Sequence, residues 1–171
     1  YLCIFGFQMI LAFWNNIGSK YENIFLISTD IYLKYMISKE FHISQKLFKN
    51  ILDSKIYRND ADNISATLAY CVSLKYSGES KSCLKKLSEI DWTHLSHKDL
   101  ILKYGIEDNV DGVVNCMKVL VKNNTVNFLG KEIPIKHFLK WGFFDDIRED
   151  PKYERAYKEI FGVPQTTYVY S

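Results

Sequence analysis

Between Leu68 and Leu87 the apolar residues follow a helical period that breaks once and then resumes. They recur every three or four positions up to Ser77-Gly78-Glu79 and again afterwards at Cys83, Leu84, Leu87 and Ile90. A strand would alternate every second residue, and a single long helix would not carry Ser-Gly at its centre. The pattern therefore predicts two helices, near 62–76 and 80–90, folded back on each other through one tight turn, with Trp92 closing the pair.

The rest of the chain repeats this arrangement. Apolar residues from Tyr1 to Trp14, with Gln8 as the one strongly polar side chain, predict an N-terminal helix within 1–17, shorter than the ~20 residues that span a bilayer. Asn15-Asn16-Ile17-Gly18-Ser19 follows as a turn. Ile24, Ile27, Ile31 and Tyr35 stripe a helix over about 21–37, and Ile43, Leu47, Phe48, Ile51 and Leu52 stripe another over 41–52, which together form a hairpin within 21–54. Asp60 or Asp62 is the expected cap of the helix after the polar loop 53–62. Leu100, Ile101, Leu102 and Tyr104 predict a short helix ending by Gly105. Asp108 or Asn109 then caps a helix with Val110, Val113, Val114, Met117, Leu120 and Val121 inward, which gives a hairpin over 97–122. Val126–Leu129 reads equally as a short strand or an irregular packed loop. Pro134 suits the first turn of a helix carrying Phe138, Leu139, Trp141, Phe143, Phe144 and Ile147. Asp150-Pro151 starts a last helix, with Tyr153, Ala156, Tyr157 and Ile160 inward, that stops at Gly162. These closing helices occupy 133–162, and the 171 residues form a single domain.

Composition narrows the chemistry. With 47% hydrophobic and 25% charged residues the chain is globular, not disordered. Its 22 basic and 20 acidic residues are dispersed, which disfavours nucleic acid as a partner. Cys3, Cys71, Cys83 and Cys116 contain no CxxC spacing. His94 and His97, three apart, carry a weak metal-like spacing without a third ligand nearby, and Asp60-x-Asp62 lacks the Gly and closing Glu of a calcium loop. The acids Asp145, Asp146, Glu149 and Asp150 read as a solvated face and cap, Trp141-Gly142-Phe143-Phe144 as a core wedge, and Arg148 as a bridge to carboxylates or carbonyls of the closing unit. No phosphate loop, nucleophile elbow or cofactor motif is present, so neither an enzyme nor a cofactor is expected.

Aligned on their turns, the three hairpins place the small residues Ser44, Cys83 and Gly112 at one position, with separations of 39 and 29 residues that average the 34 of a tetratricopeptide repeat. The middle hairpin resembles that motif. Cys71 falls at its small eighth position, Gly78 in its turn, Cys83 at its small twentieth and Leu87 at its large twenty-fourth, although the initial Trp and final Pro are missing. The stretch Phe143–Gly162, with Phe, Ile-Arg, Asp-Pro and an aromatic leading into a helix and Gly, resembles the ending of many bacterial tetratricopeptide domains of sensory and regulatory proteins.

The resemblance implies an all-α fold, a right-handed superhelix of antiparallel helix hairpins. Projecting the motif implies a mainly apolar concave groove of Thr29, Leu33, Met36, Leu68, Val72, Lys75, Tyr76, His97, Ile101 and Tyr104. Thr29 and Leu33 stand where chaperone-binding members carry a carboxylate clamp, so that clamp is not expected. At the motif positions Cys71 and Cys83 face each other, as two small packing residues or, as the lesser reading, as a disulfide. The leading functional expectation is a non-enzymatic module that holds a protein or peptide segment in the groove: a partner's, a second copy's or the chain's own N-terminal stretch. The alternatives are the extracytoplasmic sensor domain of a membrane-anchored transcription regulator and an inhibitor or immunity protein. A cytoplasmic location is slightly favoured, a periplasmic one follows from the sensor reading, and membrane contact is expected only through a segment upstream of Tyr1.

Overall fold

The computed structural model describes residues 40–55, 57, 59–128 and 131–164. The expected helices within 1–17 and 21–37 lie outside these residues, as do Thr29, Leu33 and Met36. Among the described residues the fold is mostly helical, with one two-stranded antiparallel sheet. The helices are α1 (Phe41–Asp53), α2 (Asp60–Tyr76), α3 (Ser80–Ser88), α4 (His97–Ile106), α5 (Val110–Leu120), the single turn α6 (Ile135–Phe138) and α7 (Pro151–Phe161). The strands β1 (Thr125–Phe128) and β2 (Lys131–Pro134) pair in the register Thr125 to Pro134 and Phe128 to Lys131. Of the open reading over Val126–Leu129, Val126–Phe128 thus resolves as a strand, and Leu129 lies outside the described residues. No helix among the described residues is long and apolar enough to cross a membrane.

Four of the helix starts, those of α2, α4, α5 and α7, are set by short polar side chains. The Asn59 side chain accepts the backbone N–H of Asp62 at 2.9 Å, so the cap of α2 is Asn59 and not Asp60 or Asp62. Those two acids instead occupy the first turn, where they meet the positive end of the helix dipole. Ser96 caps α4, Asn109 caps α5 through the Gly112 N–H at 2.9 Å, and Asp150 caps α7 ahead of Pro151. Gly78 and Gly162 terminate helices with φ of 84° and 72°, left-handed values that glycine adopts without strain.

Helix α2 packs against α1, α3 and α4 at once, and α4 against α5. Its buried set, which includes Ser65, Ala66, Leu68, Ala69, Cys71, Val72 and Ser73, wraps around the whole helix. The small residues expected at the hairpin crossings are found there: Ser44 and Cys83 are buried, and Gly112 touches the ring of Tyr104.

Two expectations are corrected. Gly105 does not end α4, which runs to Ile106. It is buried inside the helix, where an added Cβ would lie 2.5 Å from the carbonyl oxygen of Phe143, so its role is to admit the backbone of the closing unit. The helix expected across Phe138–Ile147 is also not continuous: after α6 the chain turns at Leu139–Trp141 and forms a 3-10 helix over Gly142–Ile147. Arg148 explains the break. Its guanidinium donates to the carbonyl of Trp141 at 2.6 Å and of Leu139 at 3.4 Å and pairs with Asp145, satisfying backbone groups that a continuous helix would bond internally. Phe128, Phe138, Trp141, Phe143 and Phe144 fill the space beneath, with the Phe128 and Trp141 rings edge to face at 5.0 Å.

Two predictions follow from this packing. A Cβ at Gly112 would lie 2.4 Å from the Tyr104 ring, so Gly112→Ala is expected to destabilise by about 1–3 kcal/mol in urea unfolding. In a Tyr104→Ala background the same change should instead stabilise by up to about 1 kcal/mol, the ordinary gain of Ala over Gly in a helix. A similar loss in both backgrounds would refute the clash. The second prediction concerns Tyr153, whose hydroxyl is fully buried with no hydrogen-bond partner among the described residues. Burial holds its proton well above the ordinary tyrosine range. The folded state therefore keeps a proton that the unfolded chain releases from about pH 10 upward, so this contribution to stability is present below pH 10 and lost above it. Tyr153→Phe should leave neutral-pH stability unchanged or raise it by up to about 1 kcal/mol and flatten the alkaline decline. A loss above 1 kcal/mol at pH 7 would show a missed partner.

Candidate functional site

The groove residues that can be placed do not form an open surface. Leu68, Val72 and Ile101 have no exposure at all: α2 is covered by α1, α3 and α4, and Ile101 lies on α4, which packs against α2, α5 and the 3-10 helix. They are corrected from groove lining to core. Tyr76 stacks on Phe41 at 4.7 Å, and Tyr104 lies against Gly112 with the Lys103 ammonium 5.0 Å from its ring centre. His97 is exposed at the first position of α4 and His94 is exposed in the preceding loop. Among the described residues no three His, Cys, Asp or Glu side chains are grouped to hold a metal.

Lys75 is committed as well. Its Nζ lies 2.6 Å from Asp108 Oδ1 and 2.8 Å from Asp146 Oδ2, joining the end of α2 to the α4–α5 turn and to the 3-10 helix. Asp108 reaches this position from a left-handed backbone, φ 55°, which Asp tolerates better than most residues. Burial, with the charge of Asp146 beside it, raises the pKa of the Tyr76 hydroxyl well above its ordinary value.

Cys71 and Cys83 meet where α2 crosses α3 but are free thiols, so the disulfide reading is corrected. The Cys71 thiol donates to the Cys83 carbonyl at 3.9 Å. Contact with the Cys83 thiol, followed by burial, pushes Cys71 up, and the same contact draws Cys83 down. Cys71 is thus the member that keeps its proton.

An open cleft of about 500 Å³ lies elsewhere, where the C-terminus of α1, the N-terminus of α2 and the C-terminus of α3 come together, as antiparallel neighbours require. Leu52, Ile64 and Ile90 are half-buried, pack against the core and give it an apolar floor. Asn63 and Thr67 line the α2 wall, and the exposed carboxylates of Asp53, Asp60, Glu89 and Asp91 surround it with Lys86 as the cation among the lining residues. Lys86 pairs with Glu89 at 2.7 Å and lowers its pKa, while Asp53 pairs with Lys49. The Thr93 hydroxyl and backbone N–H donate to Asp91 and lower its pKa, so Asp91 and Glu89 stay ionised at neutral pH. None of these cleft residues was singled out as a site from sequence. They belong to three helix ends spread over residues 52–91, and each reads locally as a cap, a loop or a stripe.

Comparison with protein-family models, curated proteins and solved structures returns no significant match.

The Lys75 triad gives a stability prediction. Lys75→Ala leaves Asp108 and Asp146 facing each other without their shared cation, and should destabilise by about 1–2 kcal/mol, less at 1 M salt, where the repulsion is screened. Urea unfolding at low and high salt checks it, and a loss independent of salt would mean that the lysine stem contributes by packing alone.

Proposed function

We propose that the chain is a non-enzymatic protein-interaction module built as a tetratricopeptide-like superhelix of hairpins, and that it holds a protein segment in the α1–α2–α3 cleft. The cleft carries this reading: an apolar floor of Leu52, Ile64 and Ile90 stands open beside hydrogen-bonding and charged side chains, the mixture that a peptide's side chains and backbone require. The pairing of α2 with α1 and α4 supports the repeat reading, because stacked hairpins of a solenoid make these contacts. The groove first expected from the motif is replaced by a site at the helix ends, since Leu68, Val72 and Ile101 are core.

A photo-crosslinking amino acid in place of Thr67, on the cleft wall, should yield a discrete protein adduct in extract of the source cell. The same group in place of exposed Asn115 on α5 should not. Ile64→Glu should remove the adduct by placing a charge on the floor. Equal labelling from both positions, or none from Thr67, would overturn the reading.

A further inference from the structure

The charges around the cleft specify the partner's chemistry. We propose that the cleft takes a cationic peptide segment, in which a Lys or Arg side chain faces the carboxylate rim while adjoining aliphatic side chains rest on Ile64 and Ile90. This rests on the interaction-module reading.

Four carboxylates and one ammonium line the cleft, although the whole chain carries a formal charge of +2. Glu89 and Asp53 have lysine partners, but among the described residues Asp60 and Asp91 have no ion-pair partner. The backbone adds to this. The C-terminal ends of α1 and α3, the negative ends of their dipoles, line the cleft through Leu52, Asp53, Glu89 and Ile90, and the N-terminus among its lining, that of α2, is already met by the Asn59 cap and by Asp62. A cation is thus attracted by side chains and helix ends together, and an anionic segment is repelled by both.

The apolar floor selects a peptide over a small polyamine. A free polycation would leave Ile64, Ile90 and Leu52 in water, whereas an aliphatic side chain next to a basic one covers them and keeps its neighbour at the rim.

The test titrates the ¹⁵N-labelled 171-residue chain with three short synthetic peptides, of leucine with lysine, glutamine or glutamate, and separately with spermidine. The leucine–lysine peptide should shift the amides of Asp60, Asn63, Glu89 and Asp91 and bind at least about tenfold tighter than the glutamine peptide, with affinity falling as salt rises. Asp91→Asn, outside any helix, and the double variant with Asp60→Asn should weaken it progressively, by about fivefold in the double variant, with circular dichroism unchanged. If the neutral or acidic peptide shifts the same amides equally well, the cationic assignment falls and the interaction-module reading stands. Spermidine matching the leucine–lysine peptide in shifts and affinity would replace the peptide by a small cation and overturn the proposal. If no peptide of any charge perturbs the cleft, both readings fall.

Discussion

The architecture depends on how closely α2 is approached by its neighbours. A helix packed on one side needs one apolar stripe, but α2 meets α1, α3 and α4 and is buried nearly all round. Ala66 and Ala69, together with Ser65, Cys71 and Ser73, make this feasible, since small side chains let helix axes draw together without voids. The buried hydroxyls are accommodated locally: Ser73 donates to the Ala69 carbonyl at 3.0 Å, and Ser65 accepts from Lys98 on α4 at 3.1 Å. A larger residue at any of these positions would push a whole helix away, which is why this short-side-chain helix holds the centre.

The closing unit is fastened to that centre by contacts of a different kind. Gly105 lets the Phe143 backbone press onto α4, the Phe128, Phe138, Trp141, Phe143 and Phe144 rings fill the volume behind it, and Arg148 binds the carbonyls that this tight path leaves without helical partners. The Lys75–Asp146 pair then joins the end of α2 to the same 3-10 helix. Lys75 is only 15% exposed, so its charge requires both carboxylates, and the two acids can stand near each other only with the lysine between them.

Legibility in the sequence divides along the range of the interactions. Helices α1, α2, α3, α5 and α7 were readable within a residue or two, because a 3.6-residue stripe, an Asp-Pro start and glycine stops at Gly78 and Gly162 act within a few residues of themselves. Arg148 as a bridge and Trp141–Phe144 as a wedge were also legible, from the density of aromatics beside one isolated guanidinium. Gly105 was misread because a helix-interior glycine and a stop glycine look alike until the Phe143 backbone is placed against one of them. The same holds for the 3-10 helix, which the distant partners of Arg148 and Lys75 stabilise against the local helical period. The groove failed for a related reason. Motif positions fix which residues share a helix face, but burial of Leu68, Val72 and Ile101 depends on what packs there. The cleft was not legible at all, since Asp53, Asp60 and Asp91 are brought together by topology alone.

With most of the central helix used for packing, the part of it left open is the wall of Asn63, Ile64 and Thr67 at the cleft, beside the ends of its neighbours. Faces and ends offer different chemistry. A face presents side chains over a backbone that is already hydrogen-bonded, whereas an end presents the backbone's own unpaired groups and the field of the helix. In an antiparallel stack, ends alternate in sign along any one edge, so most of that field cancels between neighbours. At the cleft itself two C-terminal ends line the walls beside one N-terminus that is already capped. The carboxylate of Asp91, without an ion-pair partner among the described residues, adds to the negative side. Placing like charges beside helix C-termini is destabilising for the isolated fold, and a partner's cation arriving there would relieve it.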